Sequence, residues 1–301
     1  MPSRFHLLFL ICVAFSASVT AAPRVMVSIL PLHSLVANVM RDVADPGLLI
    51  RHQQSPHAFT LRPSDARLLH DADVIFWVGP ELERPLERIL ATGVRARSVA
   101  LIATPGLTLL PPRHLHDHDL DASSAHTDGA VDPHIWLSPA NAVAMTLHIA
   151  TVLSDIDPQN ARHYEANAAR AREELLALDQ TLFDQLHGLT RRYAVFHDAY
   201  QYLEHRYGLH PLTAITSHPE RRPGAAHLSE LNAQLSEHDV RCLFSEPQFD
   251  SRLIARLSEG RDVRHSVLDP LGSHLVPGPH AYDELMHQLA AGFSRCLGED
   301  K

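Results

Sequence analysis

The stretch DPQNARHYEANAARAREELLALDQTLFDQLHGL, residues 157–189, decides the fold. Leu175, Leu178, Leu182, Leu186 and Leu189 recur at spacings of three and four, the stripe of a helix with one buried face. The half before that stripe is polar and alanine-rich. Asp157-Pro158 reads as the start of the helix and His187 as its approximate end. A helix of about 30 residues is about 45 Å long. That is too long for an ordinary crossover between neighbouring strands, and it suits a rod between two lobes.

The chain on either side has the pattern that two lobes need. Before the rod, residues 25–30, 48–50 and 74–78 read as strands, and 32–41, 62–70, 81–90 and 139–152 as helices. After it, residues 193–196, a short run near Leu212, 242–244 and 266–268 read as strands, and 200–207, 226–238, 251–259 and 282–296 as helices. Strands alternating with helices imply parallel sheets built from βαβ units. The expected fold is α/β: two (β/α) lobes joined by one long helix, with a ligand cleft between them.

Composition narrows the function classes. The formal charge of -9 argues against a nucleic-acid partner. Lysine occurs only at Lys301, so a P-loop lysine, a Schiff-base lysine and a Ser-x-x-Lys pair are all excluded. The chain has no HExxH, and no GxGxxG follows a strand pattern. It does carry 23 histidines in 301 residues, and neutral imidazole is the commonest metal-ligating side chain.

The N-terminus has a basic start at Arg4, an apolar run from Leu7 to Val19, and small residues at Ala21 and Ala22. This reads as a secretory signal peptide over 1–22, too short for a membrane span. Ile11 before Cys12 is wrong for a lipoprotein signal, so a soluble exported protein without direct membrane insertion is expected. Cys242 and Cys296 remain. In an exported chain two cysteines suggest one disulfide, with buried thiols or a thiolate metal site as the alternatives.

Ligands of parallel sheets bind beyond the carboxyl ends of the strands. Those positions hold His52 and His57 after LLI, His197-Asp198 after YAVF, Ser245 and Glu246 after CLF, and Asp269-Pro270 after SVL. His134 lies in VDPHIWLSP, stiffened by Pro133 and Pro139. His57, His134, His197 and Asp269 would offer three nitrogens and one oxygen, a set that suits tetrahedral zinc better than magnesium or calcium. Residues 113–132 break the rhythm: they are His/Asp/Ser-rich without apolar periodicity and read as a mobile loop. Its His114, His116, His118 and His126 could hold zinc weakly as secondary sites. Asp198 is expected to cap the following helix rather than orient His197. Glu246 reads equally as a neighbour of the site or as a structural strand end. Trp136 is expected to pack, and His218 and His227 to be surface or structural residues.

The segments SPHAFTLRPSDARLLHDADVIFWVGPELE, DPHIWLSP, FHDAYQYLEHRYGL, FSEPQFD and LDPLGS resemble the metal-binding solute-binding proteins of ABC importers. The likeness covers essentially the whole mature chain and favours the zinc-uptake, ZnuA-like branch, because an acidic His-rich loop precedes DPHIWLSP. It implies two lobes, a connecting helix and a metal in the cleft. It implies zinc ligands at His57, His134 and His197, and a variable carboxylate position at Asp269. It also implies a disulfide between Cys242 and Cys296. Pro56 stands where some zinc-type relatives have Glu, which leaves Asp269 or water as the fourth ligand. The expected organisation is a signal peptide at 1–22, an N-terminal lobe at 23–156, a connecting helix at 157–188 and a C-terminal lobe at 189–301. The expected function is a monomeric periplasmic receptor delivering zinc to an inner-membrane ABC permease, not an enzyme. An exported zinc hydrolase and a manganese receptor are the rivals.

Overall fold

The computed structural model describes residues 21–51, 54–113, 130–216, 219–220 and 223–298. The leader apart from Ala21 and Ala22, His52, His218 and the histidines at 114, 116, 118 and 126 lie outside the described residues.

The first half runs β1 (Val25–Val27), α1 (Leu30–Val39), β2 (Gly47–Leu48), α2 (Pro63–Asp71), β3 (Val74–Trp77), α3 (Arg84–Gly93) and β4 (Arg97–Ala100). Then come α4 (Pro139–Ile156) and the long α5 (Ala161–Leu186). The second half runs β5 (Tyr193–His197), α6 (Gln201–Tyr207), β6 (Pro211–Thr216), α7 (Ala225–Glu237), β7 (Cys242–Ser245), α8 (Arg252–Ser258), β8 (Arg264–Val267) and α9 (Ala281–Leu297). Each half makes a four-stranded sheet, in the orders β2-β1-β3-β4 and β6-β5-β7-β8. All pairings are parallel. The order reverses between β1 and β3, and again between β5 and β7, so each sheet opens a crevice at those carboxyl ends.

β4 is an addition to the sequence reading. RSVA has no apolar run of its own and forms by pairing Val74–Trp77 along the sheet edge. Asp157 is a correction. It ends α4 rather than starting α5, and its carboxylate accepts from Asn160 and from the Tyr164 hydroxyl (2.7 and 2.9 Å), fastening the turn between the two helices. α5 therefore begins later than expected, at Ala161.

One hydrophobic core runs through both halves. It takes Val25, Val27 and the β3 side chains from the first sheet, Leu175, Leu178, Leu182 and Leu186 from α5, and Tyr193, Val195, Cys242 and Phe244 from the second sheet. The alternate residues Ala194, Phe196 and Leu243 face a smaller core under α7 and α8, as the two-residue period of a strand requires. α9 returns across the molecule onto α1 and α5. There Ser34 donates to the Pro279 carbonyl (2.9 Å) and accepts from the Tyr282 amide (2.9 Å). Cys242 on β7 and Cys296 on α9 form a buried disulfide, with Cα atoms 5.8 Å apart. Among the described residues no helix is long and apolar enough to cross a membrane.

Glu83, wholly buried at the start of α3, accepts from the Gly79 amide (3.0 Å). Burial, only partly offset by neighbouring Ser28 and backbone donors, pushes its carboxyl from 4.5 up to about 7. Between those values the folded chain keeps a proton that the unfolded chain has lost, so stability falls as pH rises through that window. Glu83→Gln is expected to stabilise the protein at pH 8 by up to about 3 kcal/mol, and to change little at pH 5. Denaturant titrations at the two pH values check this; an equal effect at both would contradict it.

Candidate metal centre

Three histidines from distant segments meet at the mouth of the cleft. His57 sits in the loop between β2 and α2, His134 just before the single turn Ile135–Leu137, and His197 at the carboxyl end of β5. Their ligand atoms all lie within 4.8 Å of one another. The ring centroids are 5.3 Å apart for His134 and His197, and 5.7 and 5.8 Å from His57 to these two. His134 and His197 are buried, and His57 is half-buried.

Two carboxylates fix the rings. Asp132 Oδ1 accepts from the His134 amide (3.0 Å) and pairs with its Nδ1 (2.7 Å). Glu246 Oε1 pairs with His197 Nδ1 (2.7 Å). An ionised carboxylate only accepts, so each partner places the imidazole proton on Nδ1 and leaves the lone pair on Nε2. The two Nε2 atoms then face each other at 3.4 Å. Nitrogens bound at 2.0–2.1 Å to a tetrahedral zinc are separated by roughly 3.3 Å. The facing lone pairs repel unless a cation lies between them. The cavity, bounded by Trp136, Phe249 and Pro270, has a volume of about 10 Å³, enough for one water-sized species.

Local structure explains the placement. Ser138 caps α4 through the Asn141 amide (3.2 Å), with Pro139 at its first position. Trp136 is buried, and its Nε1 donates to the Pro270 carbonyl (2.8 Å). His134 is thereby held between a capped helix and the opposite half. Burial alone would lower the His197 imidazole, but the carboxylates around it, Glu246 first and then Asp198 and Asp132, together raise it above its ordinary value.

Asp269 is not part of the three-histidine group. Its Oδ1 accepts from Gln248 (2.7 Å) and the Leu271 amide (3.1 Å), and its Oδ2 from the amide and hydroxyl of Ser273 (both 2.7 Å). Three donors of its own loop and Gln248 of the loop after β7 hold it. Asp198 corrects the sequence reading: no side chain caps α6, whose first flanking residue is Tyr200, and Asp198 pairs instead with Arg113. Glu246, not Asp198, is the carboxylate bonded to the His197 ring. Asp132 was missed, although Asp-x-His across a proline is the spacing that lets a carboxylate reach back to a ring. Trp136 packs as expected, and His227 bonds the Ile215 carbonyl (3.0 Å).

Glu246→Gln and Asp132→Asn are expected to weaken metal binding by about 10–100-fold each, because an amide can present a donor where the ring needs an acceptor. Metal titration of both variants checks this, and unchanged affinity would remove the carboxylates from the site.

A family model, ZnuA: Zinc-uptake complex component A periplasmic, matches residues 25–296. A high-affinity zinc uptake system protein ZnuA of Brucella suis is 36% identical over 330 residues, covering 98% of this chain and 99% of the relative. The Yersinia pestis protein of the same name is 35% identical over 292 residues, covering 92% of each. Among solved structures, the Pseudomonas aeruginosa solute-binding protein FpvC in complex with Mn2+ is similar, with a TM-score of 0.77 and 25% identity over 91% of this chain and 98% of that one. With its two parallel sheets, its long helix and a matched span that includes all three histidines, the chain belongs to the ZnuA zinc-uptake family.

Proposed function

We propose that this chain is a periplasmic zinc receptor, exported by a cleaved leader, that binds Zn2+ through His57, His134 and His197 and presents it to an inner-membrane ABC permease. The observation that carries the reading is the pair of Nε2 atoms 3.4 Å apart, each ring oriented by a buried carboxylate. The fourth position is given to water, since Asp269 is engaged by four donors of its own surroundings. The relatives named above as zinc uptake proteins support the cargo. A hydrolase would need a free general base beside the metal. Asp132 and Glu246, the carboxylates bonded to the ligand rings, are committed to orienting them. Manganese prefers more oxygen than three imidazoles provide.

The run holding His114, His116, His118 and His126 is assigned to capture of scarce zinc. The backbone on its two sides is joined, because the Asp132 amide donates to the Leu110 carbonyl (2.9 Å). Removing 114–128 should therefore leave the cleft intact. Calorimetry on the mature chain and on the 114–128 deletion, with manganese as competitor, tests the whole reading. One tight zinc site is expected in both proteins, with weaker sites only in the full chain. Because protons compete for all three imidazoles, the tight site should weaken by about tenfold or more between pH 7.5 and 5.5. A tight site that vanished with the deletion, preferred manganese, or ignored pH would overturn it.

A further inference from the structure

Arg113 is the last described residue before the histidine-rich run, and its side chain crosses to the opposite half. The guanidinium forks onto Asp198, with Nε at 3.1 and 2.9 Å from the two carboxylate oxygens and Nη2 at 2.6 Å. Nη2 also donates to Glu204 on α6. Glu204 is buried and takes a second bond from the Tyr193 hydroxyl (2.7 Å). Asp198 directly follows His197.

The same short segment is tied to the other ligand. The Tyr202 hydroxyl of α6 donates to the Asp132 carbonyl (2.8 Å) and accepts from the Leu110 amide (3.2 Å). Gln201 donates to the Pro111 carbonyl (3.2 Å). Asp132 is the residue whose carboxylate orients His134. Residues 110–113 thus lie between the partner of one ligand and the chain neighbour of another, and those ligands belong to opposite halves. None of these contacts involves a ligand nitrogen.

We propose that Arg113 is an interlobe latch: by forking onto Asp198 and Glu204 it holds the His134 and His197 segments in register and slows the release of bound zinc. The inference rests on the zinc-receptor reading. A forked guanidinium constrains direction as well as distance, which a lysine ammonium at the same place would not do. Losing one partner of a part-buried charge pair acts mainly on the dissociation rate. Arg113 is a positioning residue, acting through the backbone on either side of the site.

The test is the rate of zinc loss to excess chelator from the wild type, Arg113→Ala, Arg113→Lys, Asp198→Asn and the exposed control Arg172→Ala. It is measured where circular dichroism shows each zinc-free protein folded. Release is expected to quicken by about tenfold in Arg113→Ala and Asp198→Asn, by less in Arg113→Lys, and not at all in Arg172→Ala, with association little changed. The same ratios are expected with 114–128 deleted, because the latch lies outside that run. Rates within about twofold of wild type in both Arg113→Lys and Asp198→Asn would overturn the latch even if Arg113→Ala does not fold. Loss of the effect in the deletion background would overturn it too. A wild type that holds no zinc would instead refute the receptor reading, so the two failures are distinct.

Discussion

His134→Ala is expected to abolish tight zinc binding. His134 is held firmly, with its amide and Nδ1 both on Asp132 and its Nε2 aimed at His197. Removing it leaves two imidazoles and water around the ion. The expected loss is on the order of a thousandfold or more, about 4 kcal/mol. The fold should survive, because the Trp136 bond to Pro270, the Ser138 cap and the Tyr282 bond to the Trp136 carbonyl do not involve the ring. Both parent and variant should lack 114–128, so that weak sites do not mask the result. One tight calorimetric transition in the parent, absent from a folded variant, is the predicted outcome. Equal transitions in both would place the site elsewhere.

The second large effect concerns stability. Cys242→Ser with Cys296→Ser is expected to cost about 4 kcal/mol, from releasing a loop closed over 54 residues. The melting temperature should fall by on the order of 10 °C. The consequence is structural because β7 lies inside the second sheet, next to β5, while α9 bears on α1 and α5. The bridge thus joins the strand beside His197 to the helix that spans both halves. Zinc stoichiometry should be unchanged, since neither sulfur is near the histidine group. A melting temperature equal to that of the parent would contradict the first expectation. A lost zinc site would revive a thiolate role for the cysteines.

The reach of the sequence differs between elements. The α5 stripe was legible because Leu175, Leu178, Leu182 and Leu186 all enter one core. The buried VIFW and YAVF strands were legible for the same reason. β4 and β8 were harder: RSVA and RHSV are edge strands with exposed positions, and pairing with a neighbour makes them strands, not their own pattern. His57, His134 and His197 stood among the candidates because each lies in a short motif stiffened by proline or ending a strand, and the resemblance of those motifs to the metal-binding solute-binding proteins is what marked them as expected ligands.

By itself, then, the sequence showed the α/β alternation, the long helix and the cysteine pair, because burial periodicity and chain breaks are local properties, and it singled out the three histidines through the resemblance of their motifs to the metal-binding solute-binding proteins. Only the tertiary structure decided what surrounds those histidines. Glu246 reaches His197 across 49 residues because β5 and β7 lie side by side. Arg113 reaches Asp198 across 85 residues because α6 packs beside the chain leading to His134. Asp269 takes its hydrogen bonds from donors of its own loop and from Gln248. A hydrogen bond needs a partner within about 3 Å, and which residue stands at that distance is settled only when the sheets and helices have closed on one another.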